Sequence, residues 1–193
     1  MMKGMAWSLL INFIYIVRML FDKLIEIILE KYWGEKKQCL QLKKDFFITK
    51  SAVEIASMIK SKQLTSHQVV KAYCDRMNEC NPMLNAVIDG PFSEALDQAQ
   101  EIDGKIAKGL ISEEEWSEKP FLGVPFTTKD STAVGGRLHT LGIKARRCLK
   151  AKEDAECVRL MREAGAIIIA TSSVPEINRW CVYYILFKLL RQF

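Results

Sequence analysis

The sequence predicts an α/β fold, a sheet covered by helices on both faces. Three observations carry that expectation. In DAECVRLMREAGAIIIATSSVPE, Asp154 stands at a helix-capping position, Gly165 ends the helix, and AIIIATSS then reads as a buried strand. A strand apolar and β-branched along its whole length has no face for solvent, so helices must cover it on both sides. Upstream, LGVPFTT reads as a second strand, and the segments before it carry apolar residues at helical spacing.

Taken in order, the chain begins with Met5–Val17, MAWSLLINFIYIV, thirteen residues without a charge. That is shorter than the roughly 18–20 residues that span a bilayer. Continuing to Leu29 takes in Arg18, Asp22, Lys23 and Glu26. Arg18, Asp22, Glu26 and Glu30 recur every four residues and form one polar stripe on a helix, with Val17, Phe21, Leu24, Ile25 and Ile28 facing away. No small-x-small cleavage site follows the apolar run. The expectation is a membrane-associating helix over residues 1–30, either tilted and spanning or lying in the interface; the alternative is an amphipathic helix docked on the protein's own core. Lys31, Lys36, Lys37, Lys43 and Lys44 follow it and only Lys3 precedes it, so the bias of positive charge puts the downstream domain in the cytosol. Residues 31–50 read as a basic linker.

Ser51–Lys60 places Ile55, Met58 and Ile59 on one side of a short helix. In LTSHQVVKAYCDRMNECNP, Thr65 and Gln68 have capping-box spacing, Val69, Val70, Tyr73, Cys74 and Met77 make one apolar face, and the helix is expected to end before Pro82. His67 falls near its start as a surface residue. NAVID is a short strand closed by Gly90-Pro91, Phe92–Lys108 is a helix with Ala95, Leu96, Ala99, Ile102 and Ile106 inward, and Leu110–Lys119 is an acidic loop.

The composition is that of a globular domain, 49% hydrophobic and 26% charged. The net charge of +5 sits at the ends: residues 1–44 carry +4, those after Cys181 carry +2, and the stretch between carries −1. With no basic stripe interleaved with aromatics there, nucleic-acid binding is not expected. Cysteines 39, 74, 80, 148, 157 and 181 form no CxxC pair, and His67 and His139 stand far apart, so no metal site and no cofactor is expected, and the thiols read as reduced, mostly core-filling residues. Gly135-Gly136 has neither P-loop nor dinucleotide spacing.

One residue breaks this pattern. Lys129 ends the run GVPFTTKDS, where the strand leaves its apolar neighbours. It is either a solvated strand end or a proton-transfer base. PFLGVPFTTKDS, the V-x-G and T-x-G within AVGGRLHTLG, and AGAIIIATSSVPEIN together resemble the amidase signature family, and among its branches the fatty-acid amide hydrolases of the second type. LTSHQVVKAYCDRMNECNPMLNAV is similar to that family's N-terminal region, so the resemblance runs from about Ser51 to Cys181. It implies a partial amidase-signature domain over 51–181, with a mixed sheet, and a divergent apolar, basic tail over 182–193.

The resemblance also implies chemistry. Such amidases use a Ser–Ser–Lys triad, and Lys129 stands at the position of its lysine. A lysine acting as base must be neutral, which burial and hydroxyl neighbours can favour; the GVPF run and the threonines are the expected suppliers. Both triad serines belong to a Gly/Ser-rich segment that these residues do not include. Ser131, Ser172 and Ser173 are the serines near the matched motifs, with structural or turn roles expected. The implied substrate is a lipid amide, with no metal or nucleic acid involved and no oligomeric state indicated. Two functions follow as expectations: a serine amidase of fatty-acid amides, of which this chain alone is inactive, or a non-catalytic, membrane-bound truncated relative acting through partner binding.

Overall fold

A computed structural model describes residues 2–33 and 45–179. The tail expected over 182–193, and most of the linker, lie outside the described residues. The chain separates into two units, Met1–Leu42 and Lys43–Phe193. In the first, α1 runs over Met2–Trp33. The polar stripe forms, with Arg18 and Asp22 paired one turn apart at 3.8 Å, and Phe13, Phe21 and Leu24 are solvent-exposed. Among the described residues no helix is long and apolar enough to cross a membrane. Among these residues the spanning form of the expected anchor therefore finds no support.

In the second unit a 3₁₀ turn, Phe46–Thr49, leads into α2 (Ala52–Lys60) and α3 (Ser66–Leu84). Both helices open on capping boxes, Ser51 with Glu54 and Thr65 with Gln68. The α3 helix runs through Pro82 instead of stopping before it. Asn85, left-handed at φ 48°, closes it by donating its N–H to the Asn81 carbonyl at 2.6 Å. After β1 (Val87–Asp89) come α4 (Ser93–Ala107) and α5 (Glu113–Glu118). The acidic stretch expected as a loop is thus helical. Ser112 accepts the Glu115 N–H, and three glutamates occupy the first turn, where the helix dipole favours anions.

The remaining elements are β2 (Pro125–Lys129), a 3₁₀ turn at Lys144–Arg146, α6 (Glu156–Glu163) and β3 (Ile167–Ser172). A last 3₁₀ turn spans Glu176–Asn178. The sheet is mixed, in the order β1-β3-β2, with β3 antiparallel to β1 and parallel to β2. Every residue from Ile167 to Thr171 is buried. Successive side chains on a strand point to opposite faces, so both faces of β3 are covered. Asp154 does not cap α6; Ala155 holds the N-cap position without a side-chain bond. Instead Asp154 accepts the Gly135 N–H at 2.8 Å and pairs with Arg162.

Two apolar clusters form, and α3 stands between them. Val70 and Cys74 pack with Phe92, Ala95, Val158 and Ile167–Ile169, while Val69 packs with Phe47, Ile55, Ile59 and Val124. The helix is fixed at its first turn. Ser66, fully buried, donates its hydroxyl to the Gly123 carbonyl at 2.7 Å. The Ser66 and His67 N–H groups both donate to the Asp103 carboxylate of α4, at 2.7 and 2.9 Å. Gly123 has φ +80°, and a Cβ there would lie 2.7 Å from the Ser66 hydroxyl. Of the described cysteines only Cys74 is buried, and Cys148 and Cys157 are exposed, so core filling describes one thiol rather than most. Burial pushes the Cys74 thiol up from its ordinary pKa.

Two outcomes follow for stability. Replacing Asp103 by Ala leaves two first-turn N–H groups of α3 without acceptors and should cost about 1–3 kcal/mol in urea unfolding. Glu54 has its carboxyl held down at about 2, first by the Ser51 N–H, then by the Ser51 hydroxyl and Lys50. A depressed carboxyl stabilises above its unfolded value near 4.5 and loses that contribution as pH falls through about 2. The stability difference between wild type and Glu54→Gln should therefore be constant above about pH 5 and shrink below it, read from melts across that range.

Candidate functional site

The site is built where the parallel strands β2 and β3 end together. In open α/β sheets, ligands sit outside the carboxyl ends of parallel strands. Lys129 is the last residue of β2 and pairs in register with Ser172, the last of β3. The strand end is closed by main-chain bonds, Asp130 N–H to the Ser172 carbonyl at 2.9 Å and Thr132 N–H to the Lys129 carbonyl at 2.8 Å. Ser172 donates its hydroxyl to the Thr128 carbonyl at 3.2 Å.

Lys129 itself is exposed. The burial expected from the GVPF run goes elsewhere, because Val124 faces the α2–α3 cluster while Lys129 lies at the open strand end. The threonines do not solvate the amine either. The Thr128 hydroxyl is buried with no hydrogen-bond partner, as is that of Thr171, its register neighbour on β3. Among the described residues no hydrogen bond or ion pair reaches the Lys129 amine. On its outer side β2 has no strand partner among the described residues.

One residue the sequence did not single out organises this end of the sheet. Asp130 is 1% exposed. Its carboxylate accepts the Thr140 N–H at 2.6 Å, the Thr140 hydroxyl, and the Gly142 N–H at 3.2 Å. The T-x-G motif is thus the partner of the lysine's neighbour. Gly142, at φ +72°, leaves no room for a side chain: a Cβ would meet the Val174 carbonyl oxygen at 2.8 Å. Ile177 N–H in turn reaches the Leu141 carbonyl at 2.9 Å. Strand alternation was the available signal, since a strand that turns Lys129 outward turns Asp130 inward.

Of the three serines near the motifs, only Ser172 is brought beside Lys129, by strand register. Ser131 opens the loop after β2, and Ser173, past the end of β3, donates its N–H to Ala86 at 2.7 Å. Each is half-buried, and none sits on a Gly-rich elbow. A cleft of about 230 Å³ opens elsewhere, lined by Ile102, Lys105, Glu115, Lys119 and Arg162. It reaches Ile167 at the start of β3 but no residue at the carboxyl ends of β2 and β3, so its size does not make it the reactive site. Among the described residues no group of three or more His, Cys, Asp or Glu side chains gathers that could hold a metal ion.

This geometry has relatives. The family profile described as Amidase matches residues 68–183. Fatty-acid amide hydrolase 2-A of Danio rerio is 37% identical over 131 residues, covering 67% of this chain and 25% of that protein. Fatty-acid amide hydrolase 2 of Homo sapiens is 34% identical, with the same shares covered. Among solved structures, a bacterial aryl acylamidase of the amidase signature family superposes with TM-score 0.56 at 27% identity, covering 66% of this chain and 26% of that one. The native peptide amidase of Stenotrophomonas maltophilia superposes with TM-score 0.59 at 24% identity, covering 68% and 26%, and so shares the fold. The chain spans about a quarter of the length of the curated relatives it matches. With the profile covering more than half of its residues, this chain belongs to the amidase signature family.

Proposed function

We propose that this chain carries the lysine end of a Ser–Ser–Lys amidase site whose substrates are fatty-acid amides, with Lys129 as the proton-accepting base. The observation that supports this most is the position of Lys129 at the carboxyl end of a strand, inside the segment matched by the family profile. The substrate class is carried over from the fatty-acid amide hydrolases, which are 34–37% identical to it. A neutral amine beside a hydroxyl relay activates serine without histidine. In this chain the amine is exposed and no Gly/Ser-rich segment is present to supply the serines, so the 193 residues alone should not turn over an amide. The outer edge of β2, which has no strand partner among the described residues, favours a second function, the binding of a partner polypeptide.

A fluorophosphonate probe and a long-chain acyl amide, applied to wild type and to Lys129→Ala, should both report silence. Labelling that depends on Lys129 would overturn this and point to Ser131, Ser172 or Ser173 as the nucleophile. A positive test joins residues 1–179 to the downstream portion of the Danio rerio relative. Hydrolysis by that chimera should fall by at least about 10³-fold on Lys129→Ala. An unchanged rate would remove the base role.

The α1 helix fits an interfacial, membrane-associating role, with the α/β unit on the cytosolic side. Its exposed apolar residues and the stripe holding Arg18 and Asp22 support lying in the interface. Deleting residues 1–30 should move most of the protein from the membrane fraction to the soluble one. Retention on the membrane would assign binding to another part of the chain.

A further inference from the structure

We infer that residues 144–152 form a docking surface for the phosphate headgroups of an anionic membrane. The segment reads KARRCLKAK: five cations, Lys144, Arg146, Arg147, Lys150 and Lys152, with no acid among them. Lys144, Arg147, Lys150 and Lys152 are exposed. Among the described residues none of the five is paired with a carboxylate. Elsewhere in the unit several cations are paired: Lys60, Lys71, Lys105, Lys119 and Arg159 each have an acidic partner within 3.0 Å. Glu153 and Asp154 follow the segment, and Asp154 is engaged by Arg162.

The fold holds these charges in place. The segment leaves Gly142, makes one 3₁₀ turn, and bends back onto residues 135–139. His139 N–H donates to the Leu149 carbonyl, and Ala151 N–H to the Arg137 carbonyl, both at 2.9 Å. Arg146 donates to the His139 carbonyl at 3.3 Å, so it serves the bend itself, and the other four cations are left to solvent. Arg137, beneath the bend, stacks 3.9 Å over the Phe92 ring and pairs with Glu94 at 2.9 Å. Like charges held together in this way repel one another, and an anionic surface relieves that repulsion.

Two features select a lipid surface over nucleic acid. Leu149 lies within the ridge and is 46% exposed, an apolar side chain available to the interfacial layer. The segment holds no aromatic residue on which a base could stack. Long basic side chains around an apolar contact match what an anionic leaflet offers.

The test is vesicle flotation of the full chain, with phosphatidylcholine alone and with phosphatidylcholine containing phosphatidylserine. Wild type is compared with a ridge variant (K144S, R147S, K150S, K152S) and with a control of equal charge loss (K50S, K62S, K71S, K108S), all three checked as folded by circular dichroism. Each ridge cation contributes roughly fivefold near an anionic surface, so the ridge variant should lose roughly a hundredfold or more of the phosphatidylserine-dependent partition and the control only a few-fold. Added salt should erase the difference. Hydrogen exchange on wild type should show protection at 144–152 on phosphatidylserine vesicles only. Equal losses in both variants, no gain from phosphatidylserine, or displacement from vesicles by a single-stranded RNA oligonucleotide at lower concentration would overturn the inference. Binding that survives the ridge variant but not deletion of residues 1–30 would overturn it while leaving the role of α1 intact.

Discussion

A buried carboxylate with no cation paired to it among the described residues governs the end of the sheet where Lys129 stands. Desolvating an ion is expensive, and only hydrogen bonds make it tolerable. Asp130 collects three of them from Thr140 and Gly142. Those bonds dictate where the loop after β2 must return. The loop then seats on Val174–Ile177 through Gly142 and Leu141. So one side chain connects the lysine's strand, the T-x-G motif, the segment leaving β3 and the base of the basic ridge.

The larger features were legible because they rest on periodicity and local chemistry. Both strands, the α3 helix with its capping box, and the placement of Lys129 at a strand terminus follow from patterns within a dozen residues. Local signals misled in three places, two decided by neighbouring residues and one by a distant contact. Pro82 lies in the last turn of α3, where its missing N–H matters less than Asn85 closing the helix. Asp154 has a capping residue's chemistry, but the Gly135 N–H, brought from another part of the chain, takes its oxygen. The acidic stretch became α5 because its glutamates meet a helix N-terminus rather than one another.

The site is less legible than the fold. A motif places Lys129 at a strand end and leaves it either solvated or a base, and the choice rests on how the strand end is covered by elements distant in sequence. The basic ridge was hidden by averaging. Between residues 44 and 181 eighteen basic residues stand against nineteen acidic ones, so the sum lies near neutrality and hides the local run Lys144–Lys152. For Asp130 strand alternation indicates an inward side chain, but its partners, Thr140 and Gly142, are set by the folded chain.

The parallel pairing of β2 with β3 carries a kinetic consequence. Parallel neighbours cannot be joined by a tight turn, so the chain from Asp130 to Ala166 must be threaded before Lys129 and Ser172 come into register. The entropy of closing that crossover is spent before any strand contact offsets it. The capping boxes of α2 and α3 are local, so those helix starts are specified without the crossover. Until the crossover closes, Ile167–Ala170 has no cover, and this β-branched run is the segment most open to pairing with another chain. Assembly at the lysine's strand end is therefore a late event, and the time needed to reach it sets how long the chain remains open to aggregation.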